Sequence, residues 1–273
     1  MTEASIPVPI VRVRDGKRLD AVDMAAEEAA LEVRVDGSAY GVLMRTPGDD
    51  RRLAAGYLLA ERLVTGADDI ALIEHCADAE CDDVSGSIVR VTLEPAAAAR
   101  AAAVRAGRRE VVASAACGVC GRAAIDDLCE RLTPLTARSI VSAAVVAMLP
   151  DRLRQHQPVF ASTGGLHAAA LFDCGGMVVA TAEDVGRHNA VDKVIGDRLL
   201  RDAIPVEDGV LCVSGRTSFE IVQKAWCAGI PVVASVSAPS SLAVSLAAKA
   251  GITLVGFVRP GGFNIYTNAE RIV

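Results

Sequence analysis

Aromatic side chains are scarce in this chain: one Trp, three Tyr and five Phe in 273 residues. Proteins that grip single-stranded nucleic acid stack bases on such rings, so that class is poorly served here. A basic excess is missing as well. Lys and Arg total 28 against 34 Asp and Glu, a net charge of −6 with a pI near 5.3, whereas a nucleic-acid surface needs clustered positive charge. No apolar run reaches a membrane span: the longest, IVSAAVVAML from Ile140 to Leu149, is about half of the ~20 residues required and reads as a buried helix. The opening MTEASIPVPIVRVRDG has no basic segment leading into an apolar one and carries two prolines, so no secretory signal is expected. The expected location is cytoplasmic, without nucleic-acid or membrane partners.

Hydrophobic residues make up 52% of the chain, ample for one large core or two modest ones. In a reducing compartment the eight cysteines read as buried thiols, metal ligands or reactive groups rather than a disulfide framework.

The first third alternates strands with one helix. LEVRVDG (31–37) and YGVLMRT (40–46) have the spacing of a hairpin turning at Asp36-Gly37. A helix is predicted over 49–66, opened by aspartates and closed by Gly66. Further strands are predicted over 69–77 and 87–95, and the Ala/Arg-rich stretch after Pro95 favours helix. From about residue 130 strand and helix alternate, with helices expected over 121–132, 139–154, 184–201, 217–228 and 240–250. Strands are expected over 168–173, 176–181, 209–213, 231–236 and 252–258. The last three, separated by helices, predict a parallel βαβ arrangement. The fold class is mixed α/β: a smaller β-rich N-terminal domain (1–112), a cysteine loop with the start of a helix (113–130), and a C-terminal α/β domain (131–273).

Right-handed crossovers put the C-terminal ends of parallel strands on one edge, where ligands of open α/β sheets bind and where helix N-termini offer N–H groups to phosphate. Three turns fall there: SGRTS (214–218), SAPSS (237–241) and RPGG (259–262). Arg216 and Arg259 add guanidinium donors, and Gly261 and Gly262 allow close backbone approach. The plainer alternative is that Ser and Thr serve as caps and glycines as turn formers. FVRPGGFNIYT (257–267) concentrates two Phe and Asn264 in a chain poor in aromatics. It fits either a base held by Phe and read by an amide or a hairpin with its aromatics in the core.

ASAACGVCGRAAIDDL (113–128) places Cys117 and Cys120 just before a predicted helix. The helix dipole there, with Arg122 nearby, favours thiolate, and small neighbours leave the sulfurs accessible, which suits a nucleophile. Two competitors stand beside it. A zinc site would need a second pair, and Cys76 and Cys81 with His75 are the nearest offer, at a different spacing; no metal is expected. A thioredoxin-like redox pair fits the helix placement but not the surrounding layout. Cys129, Cys174, Cys212 and Cys227 read as small buried hydrophobes. A zinc-deaminase signature is absent, because Ala169 stands two residues after His167 and no proline precedes Cys117. In EDVGRHNAVDK, Asp184, His188 and Asp192 are spaced to share a helix face, with Asp184 as N-cap. They read as capping and ion-pair groups at a dimer or domain contact, or, with Lys193, as lining of a ligand path. His167 reads as a structural hydrogen-bonder.

With CGVCG, TGGLHAAAL, EDVGRHNAVDK, SGRTSFEIVQKA and GFVRPGGFNIYT in this order, the chain from about residue 30 onward resembles the FdhD family of formate dehydrogenase accessory sulfurtransferases. The resemblance implies a cytoplasmic homodimeric sulfur carrier. It would take persulfide sulfur from a cysteine desulfurase and pass it to the molybdenum cofactor, the bis(molybdopterin guanine dinucleotide) form, before that cofactor enters the formate dehydrogenase apoenzyme. The cofactor is then a bound substrate, and none is permanently required. The resemblance also implies a cytidine-deaminase-like three-layer α/β/α C-terminal domain. The persulfide-bearing cysteine maps to Cys117 and its companion to Cys120. The guanine-dinucleotide segment maps to Phe257, Val258, Arg259, Pro260, Gly261 and Gly262, beside Arg216 on the edge argued above. A cofactor-binding chaperone without sulfur transfer, or a CxxC thiol-disulfide or zinc protein, is the alternative.

Overall fold

The computed structural model describes residues 4–76, 87–107 and 133–273. Ser5–Arg14 (β1) and Lys17–Ala26 (β2) pair antiparallel as a two-stranded ribbon, an element with no counterpart among the predicted strands. The prolines that argue against a strand are tolerated because β1 has a neighbour on one side only. Pro7 and Pro9, two residues apart, can both turn their protonless nitrogens to the free side.

The predicted hairpin is present as Ala29–Val35 (β3) and Ser38–Arg45 (β4). Asp36 and Gly37 both have positive φ, 50° and 77°, the conformation that makes Asp-Gly a hairpin turn. Asp50–Ala60 (α1) follows, then Ile70–Cys76 (β5), Ser87–Leu93 (β6) and the helix Pro95–Gly107 (α2), with proline at its first position where a missing N–H costs nothing. The four strands form a sheet in the order β4-β3-β6-β5, with β3 and β6 parallel.

The second sheet has six strands: His167–Asp173 (β7), Val178–Asp184 (β8), Gly209–Val213 (β9), Val232–Ser235 (β10), Thr253–Arg259 (β11) and Gly262–Thr267 (β12). Their order is β12-β11-β10-β9-β7-β8. β9, β10 and β11 are parallel, as their alternation with helices predicts, while β7 runs antiparallel to β9 and reverses the strand direction there. Arg187–Leu200 (α5), Phe219–Cys227 (α6) and Ser241–Ala250 (α7) cover one face. Ala143–Gln155 (α3) covers the other, where Val146, Leu149 and Leu153 pack on Ala170, Phe172 and Cys212. Neighbouring strand residues alternate between the two cores, and β9 and β10 are buried along their whole length, as a sheet covered on both faces requires.

Several segments differ from the sequence reading. Helix α1 stops at Ala60, with Glu61 at its C-cap position, and does not run on to Gly66. Pro158–Thr163 forms a short helix (α4), too brief for a periodic signal. The stretch after β11 is strand β12, so FVRPGGFNIYT forms a hairpin as one of its two readings expects, but with Phe257 exposed and not in the core. Helix α5 begins at Arg187, with Gly186 as N-cap; Asp184 ends β8, and its carboxylate instead accepts the Gly186 N–H at 2.8 Å.

The first core cluster is continuous from β3 and α1 through α5, α6 and α7. Helices α1 and α5 cross so closely that a Cβ on Gly56 would lie 2.0 Å from the Asp192 carbonyl oxygen, and one on Gly196 1.8 Å from that of Arg52. Backbone cannot be displaced as a flexible side chain can. Gly196→Ala is therefore expected to lower stability by about 1–3 kcal/mol, the usual cost of overpacking. An unchanged urea midpoint would show that the crossing is looser than described.

Candidate functional site

Direction reversal between β7 and β9 brings the start of β7 and the ends of β8, β9, β10 and β11 to one edge, where α5, α6 and α7 begin. The 214–218 and 237–241 turns are hydrogen-bonded to each other there, and the second is bonded to the end of β11. Ser235 Oγ donates to the Gly215 carbonyl at 2.7 Å. Thr217 N donates to Ala238 O at 3.2 Å, Ser240 N to Thr217 O at 2.9 Å, and Phe257 N to Ser237 O at 3.1 Å. Ser240 caps α7 through its hydroxyl, which accepts from Ala243 N at 3.2 Å, as the plainer reading of such serines expects. Ser218 occupies the N-cap position of α6 without capping it. Its hydroxyl lies 3.0 Å from His188 Nε2, which is also 2.8 Å from Glu220 Oε2.

His167 begins β7, and Gly215 packs against its ring, where a Cβ would stand 3.3 Å from Nδ1. Burial, then the charges of Arg187, His188 and Arg216, hold the His167 pKa below its ordinary value. The Arg187 and Arg216 guanidinium groups make this the positive part of the edge. Arg187 Nε is buried without a hydrogen-bond partner among the described residues. Arg187 was not singled out in the sequence; its place just inside a helix that follows a strand was the available signal.

Most of EDVGRHNAVDK is structural. Asp184, 0% exposed, pairs with Lys193 at 2.7 Å and accepts from Thr46 N at 3.2 Å and Asn189 Nδ2 at 2.9 Å. Lys193 Nζ also donates to Thr46 O at 3.0 Å. On α5, His188 and Asp192 stand one turn apart and meet Glu220 and Lys224, one turn apart on α6; the Asp192–Lys224 contact is 2.7 Å. Burial pushes the Asp192 pKa up, opposed by the Lys224 charge. Lys193 is thus a buried tie and not part of a ligand path, whereas His188 sits on the edge.

In the hairpin β11–β12, Phe257 has φ 55° and is 42% exposed. Arg259, Pro260 and Gly261 are exposed, with Gly261 at φ 92°. Val258 is buried in the second core, so its main chain is what remains for a ligand, and Phe263 is partly buried against the same core. Arg216 is exposed on the turn before α6.

Beside these turns a cavity of about 520 Å³ opens toward the α3 face, lined among others by Asp151, Arg154, Gln157, Phe160, His167 and Ser214. Its wall is built from α4, whose first N–H groups are held by the Glu183 carboxylate: Val159 N at 3.0 Å and Phe160 N at 2.7 Å. Nothing in the sequence singled out this cavity, because its residues come from four separate segments.

Cys117 and Cys120 lie outside the described residues, as do Cys81, Cys129 and the helix expected over 121–132. The described chain resumes at Thr133, whose carbonyl accepts from Trp226 Nε1 at 2.9 Å. Leu135 N then donates to Ala250 O at 2.8 Å, so the chain re-enters beside the C-terminal ends of α6 and α7, opposite the edge just described. His75 Nε2 is bonded to Asp50 Oδ2 at 3.1 Å, and Cys76 Sγ accepts from Arg90 at 3.3 Å. Burial pushes the Cys212 thiol up to about 12 and Cys227 up to about 11, poor values for a nucleophile. Cys174, in the β7–β8 turn, is also raised, by burial and by Asp208 and Asp173.

The model of the FdhD/NarQ family matches residues 26–273. The sulfur carrier protein FdhD of Anaeromyxobacter dehalogenans strain 2CP-C is 50% identical over 256 residues, covering 92% of this chain and 88% of that protein. Its namesake from Streptomyces coelicolor is 46% identical over 268 residues, covering 96% and 94%. A crystal structure described as that of a formate dehydrogenase accessory protein from Desulfotalea psychrophila matches with a TM-score of 0.78 at 26% identity, over 99% of this chain and 100% of that one.

The geometry around His167 sets its titration. The unfolded chain takes up the imidazole proton first as pH falls, so stability declines as pH drops from the ordinary value of 6.5 toward the depressed one. Histidine NMR should find His167 titrating below the ordinary value of 6.5. Arg187→Gln and Arg216→Gln should each move it upward; a His167 unmoved by either would remove the cationic cluster.

Proposed function

The chain belongs to the FdhD/NarQ family, and from that premise we propose that it is a sulfur carrier serving formate dehydrogenase maturation. The observation that carries the reading is 50% identity to a protein named as a sulfur carrier across 92% of this chain. The accessory-protein structure matched over the full length supports it. Sulfur comes from a cysteine desulfurase and goes to the molybdenum cofactor in its bis(guanine dinucleotide) form, which is substrate and not resident cofactor. The protein acts in the cytoplasm as a homodimer, and its C-terminal sheet with helices on both faces is read as a cytidine-deaminase-like scaffold.

In this reading Cys117 thiolate attacks the outer sulfur of the donor's cysteine persulfide. The donor's S–S bond breaks, its cysteine leaves as thiolate, and Cys117 carries the persulfide. Transfer onward follows one of two routes: Cys120 thiolate attacks the inner sulfur, releasing the terminal sulfur to molybdenum and leaving a Cys117–Cys120 disulfide for a thiol reductant, or Cys120 only tunes its neighbour. The raised pKa values of Cys174, Cys212 and Cys227 support placing the chemistry on the CxxC pair. The cofactor's guanine-nucleotide end is received on the edge that holds Arg216 and the segment Phe257–Val258–Arg259–Pro260–Gly261–Gly262. The exposed Arg216 and Arg259, the uncapped N-terminus of α6 and the neighbouring Arg187 supply what phosphate needs there.

Peptide mass spectrometry after incubation with a cysteine desulfurase and cysteine, without reductant, tests the reading. One added sulfur atom is expected on the Cys117 peptide and is lost in Cys117→Ala. In Cys120→Ala, persulfide should still form; full-rate onward transfer by this variant would leave Cys120 the tuning role alone. A Cys117→Ala protein that still matures formate dehydrogenase would replace the carrier with a cofactor-binding chaperone.

A further inference from the structure

The β1–β2 ribbon is a sheet of two strands only, and one of its faces is apolar and open. Residues directly opposite across an antiparallel pair share a face, and the register puts Val11 and Val13 of β1 on the same face as Val22 and Met24 of β2. The three valines are 52%, 63% and 65% exposed, and Met24 is 36% exposed. The other face is better covered, with Val8, Ile10, Ala21 and Ala25 half-buried. A two-stranded ribbon is marginal in water unless an apolar face packs on something. A stripe of neighbouring apolar side chains, unlike a scattered valine, marks a contact surface.

The far end of the ribbon is basic. Arg14, Lys17 and Arg18 are exposed and have no ion pair among the described residues, whereas Arg12 is paired with Asp23 at 3.7 Å. Asp15 is the one carboxylate in the same turn. In a chain of net charge −6 this tip reverses the local sign and selects an acidic partner surface.

The root of the ribbon points to which partner. Ala26 ends β2 beside Gly165, where a Cβ would stand 3.3 Å from that of Ala26, and Gly165 lines the cavity that opens next to His167 and Ser214. The ribbon is thus rooted beside the edge that receives the cofactor in the reading above, and ten residues per strand give it a length of about 33 Å. A cofactor held at that edge also leaves from it, which brings the acceptor's surface within reach of the ribbon. The family match begins at residue 26, so the ribbon precedes the region that carries the shared motifs.

We propose that the Val11–Val13–Val22–Met24 face of the ribbon docks the formate dehydrogenase apoenzyme, its side chains seated in an apolar groove and its basic tip against an acidic rim. The proposal rests on the carrier reading given above and adds to it the surface that holds the acceptor.

Binding of the full chain to purified cofactor-free formate dehydrogenase, measured by biolayer interferometry at low and high salt, tests it. Val11→Thr with Val22→Thr keeps side-chain shape and strand preference while making the face polar; it should weaken binding about tenfold at either salt. Lys17→Glu with Arg18→Glu should weaken it about tenfold at low salt and less at high salt. Both proteins should acquire the persulfide on Cys117 at the wild-type rate. All four positions are exposed, and the charge variant leaves the apolar face untouched, so it decides the matter even if the valine variant disturbs the ribbon. Wild-type affinity for the apoenzyme in both variants overturns the docking surface and leaves the carrier reading in place. Variants that instead lose self-association in sedimentation, or lose binding to the cysteine desulfurase, assign the ribbon to a second copy or to the sulfur donor and also overturn it. Failure of the wild type to take up sulfur on Cys117 overturns the carrier reading itself.

Discussion

A single buried carboxylate holds the two sheets and the candidate site in one arrangement. Asp184 has no exposed surface, and a charge in that position is tolerated only when every lone pair is answered. Lys193 answers from the second turn of α5, Gly186 and Asn189 from the start of that helix, and Thr46 from just after β4. The N-terminal sheet is thereby tied to the strand end that opens the edge. Removing either charge would leave the other buried and unpaired, which is the costly case. The contact also fixes the direction in which α5 leaves the sheet, and so where Arg187 and His188 stand.

From that tie the rest of the edge follows. Helix α5 packs on α1 through the Gly56–Gly196 crossing and on α6 through the Asp192–Lys224 ion pair and the His188–Glu220 contact at matching helical spacing. The start of α6 carries the 214–218 turn, which is hydrogen-bonded to the 237–241 turn and through it to Phe257. Little freedom is left in this row. What stays open for a ligand is the cationic group around His167, the exposed tip of the β11–β12 hairpin and the cavity lined by Gln157. The described chain rejoins beyond the cysteine pair at the opposite edge, so the site proposed for the nucleotide and the point where the described chain resumes are at different ends of the sheet.

Much of this was legible in the linear pattern. The Asp36-Gly37 hairpin, the parallel β9, β10 and β11 and the three small-residue turns after them follow from local rules of turn chemistry and strand–helix alternation, which act over a few residues. The β1–β2 ribbon was not legible, because Pro7 and Pro9 argue against a strand unless it has a free side. Nor was α4, whose six residues carry no period and whose start is held by Glu183 from another strand. Asp184 was expected to cap a helix; it sits three residues short of it and serves the helix from the end of a strand instead.

By itself the sequence determined the alternation of elements and the kinship carried by five ordered motifs. These depend on neighbours in the chain. Only the tertiary structure decided which charges are consumed and which remain. It buried Lys193 against Asp184, left His188 on the edge, turned Val258 into the core and set Asp151, Gln157 and His167 around one cavity. The reason is physical: whether a polar group is a structural tie or a ligand contact depends on what the fold brings to it, and those partners lie up to 147 residues away.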